Sequence, residues 1–167
     1  MDSYPAMGDY SVVMSRSRTN RNFVKVADIE THQHKPGDKI WIRGRLASIR
    51  VKGGSCFLVI RQDSFHTLQA CYFKDKDDAT GSKKMLNYLK SLTVESMVDV
   101  YGELVDAQVK SCSLQTMEMK LTRIHSVSKA DAILPFLVED AARSEEEVMA
   151  SQETDRPFPI LGQVSVI

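Results

Sequence analysis

Five side chains in this sequence have the chemistry to read an unpaired nucleobase or grip its backbone: Phe57, Gln69, Glu118, Arg50 and Ser111. Phe57 lies in the run Cys56-Phe57-Leu58-Val59-Ile60-Arg61-Gln62. Side chains of a strand alternate between faces, and Leu58 and Ile60 are the apolar pair that wants a core. Phe57 therefore falls on the opposite face, with Val59 and Arg61. An aromatic beside an arginine outside a core suits base stacking, worth about 1–3 kcal/mol per base. Two plainer readings stay open: both faces of the strand are buried, or Phe57 covers a neighbouring loop.

Gln69 shares a face with Thr67 and Cys71 one strand over, and its amide offers both a donor and an acceptor to a base edge. Glu118 is an outward carboxylate in mid-strand, suited to accept from a cytosine amino group. Arg50 and Ser111 stand at strand ends, where a guanidinium or hydroxyl meets a phosphate or base. Each has a plain alternative. Gln69 is simply solvated, Glu118 pairs across strands with Lys120, and Arg50 covers apolar surface.

No catalytic constellation emerges. His32 and His34 lack a third ligand for a metal, and His66 and His125 read as surface histidines at strand edges. Gly53-Gly54 is a hairpin turn with no GK[ST] after it to make a phosphate loop. Glu145, Glu146 and Glu147 read as a solvated helix face. The expectation is no catalytic residue, no metal and no cofactor in this chain.

The elements that must hold these side chains come from the rest of the pattern. The 167 residues suffice for one domain with tails and a real core. Lys plus Arg and Asp plus Glu balance at 22 each, so a polyanion would be gripped through local patches. Cys56, Cys71 and Cys112 show neither zinc nor disulfide spacing and fit a reducing compartment. No apolar stretch reaches the roughly 18–20 residues of a membrane span. A cytoplasmic, soluble chain is the expectation.

Residues 1–22 read as a flexible basic arm; the acid-free gap between Asp9 and Asp28 holds Arg16, Arg18 and Arg21 of the arm and Lys25 just after it. Phe23 to Ile29 is a short apolar helix or strand before the turn Lys35-Pro36-Gly37-Asp38. Strands are expected over 39–50, with a bulge or bend at Gly44, then over 55–62, 66–73, 97–107 and 114–127. Ser82 is the expected cap of an intervening helix carrying Met85, Leu86, Leu89 and Leu92. Three strands, a helix and two strands is the order of an all-β OB-fold, a five-stranded Greek-key barrel that binds oligonucleotides or oligosaccharides. Residues 23–128 form that domain in this reading. Residues 129–167, with an acidic helix-prone stretch and Asp155-Arg156-Pro157-Phe158-Pro159, read as a hinge or linker.

At this point the residues resemble a known family. Trp41-Ile42-Arg43-Gly44-Arg45, the Phe57-Leu58-x-x-Arg61-Gln62 run, Leu68-Gln69, Ser91 to Ser96, Lys110-Ser111, Leu114 to Glu118 and Glu139-Asp140-Ala141-x-Arg143-Ser144 are similar to the N-terminal anticodon-binding domain of eukaryotic cytosolic aspartyl-tRNA synthetases, which are class II enzymes. The resemblance covers roughly residues 38–160. It implies that the anticodon GUC is splayed on the barrel, with Phe57 stacking on the central uracil. It further implies that Gln69 reads the first base, that Glu118 faces the third, and that Arg50 and Ser111 support the loop. The partners implied are aspartate tRNA and the synthetase's own catalytic domain, in a homodimeric full-length enzyme using ATP and Mg. That domain has no counterpart before Ile167, so this chain alone is expected to be inactive. The rival readings are the equivalent module of an asparaginyl- or lysyl-tRNA synthetase, and a free-standing OB module binding single strands or a protein.

Overall fold

The computed structural model describes residues 5–10, 21–31, 33–63, 65–134, 138–154 and 157–158. Arg16, Arg18, His32, Pro135, Phe136, Asp155, Arg156, Pro159 and residues 161–167, which the sequence reading used, lie outside them. The chain divides after Ala130 into two units.

In the first unit the strands are β1 (Met7–Asp9), β2 (Lys39–Lys52), β3 (Ser55–Gln62), β4 (His66–Phe73), β5 (Met97–Asp106) and β6 (Met117–Ser128). Helix α1 spans Val26–Glu30 and α2 spans Ala79–Lys90. The sheet runs β1-β6-β4-β3-β2-β5, and β5 also pairs with β6, which closes β2 to β6 into a five-stranded barrel. This is the OB-fold expected from the strand order. Closure removes the exposed edges that an open sheet of these strands would leave.

Period-2 patterning decides which side chains fill the barrel. Ile40, Ile42 and Leu46 of β2, Cys56, Leu58 and Ile60 of β3, Leu68 and Ala70 of β4, Val98, Val100 and Leu104 of β5, and Met117, Met119, Leu121 and Ile124 of β6 are all buried. Each large aliphatic side chain so buried contributes about 1.5–3 kcal/mol. Met85, Leu86 and Leu89 of α2, followed by Leu92, close one end of that core.

β2 is long enough to serve two partners, β5 over 39–45 and β3 over 45–52. At the changeover the backbones close in on Gly44, where a Cβ would stand 2.6 Å from the Ile60 Cγ2 and 2.8 Å from the Arg61 carbonyl oxygen. The bulge itself falls between Leu46 and Ser48, two residues later than the glycine marks. It adds the bend and twist that barrel closure needs.

Three expectations are corrected. Residues 7–9, read as part of a flexible arm, form β1 parallel to β6, with Met7 opposite Ile124 and Asp9 opposite Ser126. The helix α2 is capped by Asp78, whose carboxylate accepts from the Gly81 N–H at 2.8 Å. Ser82 is instead buried inside its first turns and accepts from the Asp75 N–H at 2.8 Å. A carboxylate ahead of the first turn reaches the free amides that a residue four positions later no longer faces. His125 is a buried side chain, stacked on Tyr10 at 4.4 Å between centroids, and not a surface one.

The second unit holds α3 (Val138–Ala142) and α4 (Glu145–Ser151). Ser144 and Glu147 form a reciprocal capping box at the start of α4. The three glutamates Glu145, Glu146 and Glu147 occupy its first turn, where the helix dipole favours negative charge. The Arg143 guanidinium sits 3.6 Å from the centroid of the Phe158 ring.

Candidate nucleic-acid interface

The outward residues of β2, β3 and β4 form rungs across the barrel. Cα register sets Ser48, Val59 and Gln69 in one rung, and Arg50, Phe57 and Cys71 in the next. Rungs two residues apart are about 6.8 Å from each other. Lys120 of β6 extends the second rung beyond Cys71. Arg50, Phe57 and Gln69 thus meet on one face because their strands alternate in phase with the buried Leu58, Ile60, Leu68 and Ala70.

Phe57 is half-buried, flanked rather than covered. The Arg50 guanidinium stands 5.6 Å from its ring centroid, and Phe73 meets it edge to face at 5.9 Å. Phe57, Val59 and Arg61 all stay partly exposed, so this face of β3 is not a second core. Arg50 itself is exposed and combines two of its foreseen roles, lying over an apolar ring while keeping its charge in water.

Gln69 and Glu118 are brought together directly. The Gln69 Nε2 donates to the Glu118 Oε2 at 2.8 Å, and the Cys71 thiol donates to the same oxygen at 3.2 Å. The foreseen cross-strand pair of Glu118 with Lys120 does not form, because both residues lie on β6, and Glu118 makes these contacts instead. Two donors on Oε2 fix the carboxylate, and among the described residues no group bonds Glu118 Oε1 or Gln69 Oε1. One oxygen acceptor on each side chain is thus left over from this pairing. Burial, followed by the contact with Glu118, pushes the Cys71 thiol up to about 12, so it stays a donor throughout the neutral range.

Ser111 stands apart from these four. It is exposed on the loop between β5 and β6. That loop is tied firmly to the start of β4. The Thr67 N–H donates to the Ser113 Oγ at 2.7 Å, the Ser113 N–H to the Thr67 Oγ1 at 2.8 Å, and the Leu114 N–H to the Thr67 carbonyl at 3.1 Å. Glu30, at the end of α1, adds a hydrogen bond from the Ser113 hydroxyl and one with His66 Nδ1 at 2.9 Å. Ser111 is therefore held on a loop braced against the start of β4.

Sequence reasoning passed over Cys71 as a carboxylate-positioning group and Phe73 as a second aromatic. Parity contained the signal for both, since 69, 71 and 73 alternate onto one face of β4. Among the described residues, no group of three or more His, Cys, Asp or Glu side chains is placed to hold a metal ion, and no helix is long and apolar enough to cross a membrane.

Comparison with known proteins agrees with this geometry. The cytoplasmic aspartate–tRNA ligase of Caenorhabditis elegans is 34% identical over 151 residues, covering 87% of this chain and 27% of the ligase. That of Bos taurus is 32% identical over 142 residues, covering 84% and 27% respectively. The chain thus spans about a quarter of the length of these relatives. The fold matches the solved aspartyl-tRNA synthetase of Entamoeba histolytica with a TM-score of 0.75 at 21% identity, over 97% of this chain and 34% of that one. Residues 40–127 match the tRNA anticodon family model, described as an OB-fold nucleic acid binding domain. With its closed barrel and a family match over more than half of its length, this chain belongs to the anticodon-binding family of OB-fold nucleic acid binding domains.

Proposed function

We propose that this domain reads the GUC anticodon of aspartate tRNA for an aspartate–tRNA ligase. The observation that carries the reading is that a partly exposed Phe57 lies one rung from the hydrogen-bonded pair Gln69 and Glu118. The central uracil stacks on the Phe57 ring. Gln69 meets the guanine through its amide, accepting from a ring donor on Oε1. Glu118 accepts from the cytosine amino group on Oε1, while Oε2 stays anchored by Gln69 and Cys71. A single-stranded loop splayed over aromatics and read on its base edges is the usual mode of sequence-specific RNA recognition. Arg50 holds backbone phosphate near the stacked base, and Ser111 meets the loop from the braced β5–β6 connection.

The names of the relatives support the wider reading. The full-length protein is then a cytoplasmic, homodimeric ligase that uses ATP and Mg in its catalytic domain to attach aspartate to this tRNA. In that division of labour the present domain supplies identity and the catalytic domain the chemistry.

Titration of the chain with stem-loops bearing GUC, GUU and UUU tests the reading. Tightest binding to GUC is expected. Equal affinity for all three would make the domain a general single-strand binder.

A further inference from the structure

The reading face continues one rung past Phe57. Register aligns Lys52, Ser55 and Phe73 immediately beyond Arg50, Phe57 and Cys71, about 6.8 Å further along the strands. Phe73 is 55% exposed, although large aromatics are usually covered on more than one side. Its ring is perpendicular to that of Phe57, at 89°.

Lysines and aspartates are interleaved around this ring. A shallow groove lined by Gly54, Ser55, Phe73, Lys74, Lys76 and Ala79 opens here, and Lys52, Lys74 and Lys76 are all exposed. Of the three acids interleaved with them, Asp75, Asp77 and Asp78, two are turned to backbone amides. Asp75 accepts from the Asp77 N–H at 2.9 Å and Asp78 from the Gly81 N–H at 2.8 Å. A bare ring with ammonium groups around it offers a platform to a base and a counter-charge to its phosphate.

We propose that this rung is a fourth nucleotide site, taking the unpaired nucleotide next to the anticodon triplet with its base on Phe73 and its phosphate at Lys52. The proposal rests on the anticodon reading of the Phe57 rung. Bases lying flat on two perpendicular rings are themselves at right angles, which is the geometry of nucleotides pulled out of a stack. The site therefore favours a splayed loop over a stacked strand.

The test couples protein and RNA changes. Affinity of the chain is measured for the GUC stem-loop and for loops made abasic on the 5′ or the 3′ side of the triplet. Phe73→Ala is expected to weaken the intact loop about 5- to 150-fold, the worth of one stacked base, and to leave one abasic loop unaffected because its base is already gone. Lys52→Ala is expected to lower the slope of log affinity against log salt by about 1. Equal losses on the intact loop and both abasic loops would overturn the proposal, since Phe73 would then only buttress Phe57. Unchanged binding by Phe73→Ala would also overturn it and leave the ring to a protein partner. Phe57→Ala, run alongside, separates the two readings: if it weakens binding while Phe73→Ala does not, only the fourth site falls. If neither variant matters, the anticodon reading has failed as well.

Discussion

The outer surface of the barrel carries two clusters of aromatic and arginine side chains, and the chain covers one while leaving the other open. On β2, β5 and β6, Trp41 lies 4.9 Å from Tyr101 and 6.0 Å from His125 between ring centroids. Over Trp41 sits the Arg21 guanidinium at 3.7 Å, with Tyr10 of the arm stacked on His125. Asp99, fully buried, takes two hydrogen bonds from Arg43 at 2.6 and 2.9 Å and lies 3.7 Å from Arg21. On β3 and β4, Phe57 and Phe73 meet edge to face, Arg50 stands by the Phe57 ring, and Phe73 is left 55% exposed. The same residue types become structural where the N-terminal arm supplies the stacking partner, and become a binding surface where the partner must come from outside. An outward aromatic is thus a recognition residue only if the chain has not already stacked something on it.

The largest effect expected from this contrast is on stability. Asp99→Ala leaves Arg43 and the 2% exposed Arg21 side chain without their shared carboxylate. Breaking a buried ion pair from one side costs about 3–5 kcal/mol. Urea unfolding should show that loss as a lower midpoint, while discrimination among anticodon loops in the remaining folded protein stays the same. A change in discrimination would mean the covered face also takes part in reading.

The open face should respond in the reverse way. Phe57→Ala is expected to cost about 1–3 kcal/mol in affinity for the GUC stem-loop and much less in unfolding free energy, because the ring is only half-buried. Fluorescence titration together with urea unfolding checks both halves. Comparable losses in the two measurements would erase the distinction between the faces. A smaller effect is expected from Glu118→Gln, which keeps the shape and exchanges a charged acceptor for a neutral amide. About 1 kcal/mol of preference for cytosine over uracil at the third base should disappear, with the GUU loop bound nearly as before.

The open face was legible in the sequence because it follows from parity. Once Leu58, Ile60, Leu68 and Ala70 are assigned to the core, Phe57 and Gln69 can only point outward. The family resemblance then attached base-reading roles to them. Two kinds of feature escaped. Residues 7–9 have no periodicity of their own, and their strand depends on β6, more than a hundred residues away, and on the hydroxyl of Tyr88. The pairing of Glu118 with Gln69 and Cys71 depends on β4 and β6 lying side by side, and period-2 patterning fixes faces rather than neighbours. Trp41 had the same outward parity as Phe57, and nothing local distinguished the covered aromatic from the open one. Arg21 was legible as a charge in a basic arm, but not as the lid of Trp41.

That lid has its own weak point. The Tyr88 hydroxyl lies 2.7 Å from the Gly8 carbonyl and 2.8 Å from the Asp9 carboxylate, and Lys129 pairs with Asp9 at 2.9 Å. Burial alone would raise the Asp9 carboxyl, but the hydrogen bonds of Lys129 and Tyr88 and the charge of Lys129 outweigh it and hold the group below its ordinary range. A carboxyl depressed in the folded state stabilises it above the unfolded value of about 3.9 and loses that contribution as pH falls through its folded value. The β1 latch should therefore loosen below about pH 4, while at neutral pH Asp9 stays ionised and the latch closed. Trp41 is the single tryptophan of the chain, so its emission reports directly on whether Arg21 and Tyr10 remain in place. Asp9→Asn should remove the acid step that this titration puts into the emission, below the ordinary carboxyl range, and leave the affinity of the Phe57 face for its stem-loop unchanged. An emission change that persists in Asp9→Asn would place the acid-sensitive group elsewhere in the barrel. A fall in stem-loop affinity at neutral pH would mean that the arm which closes one face also supports the other.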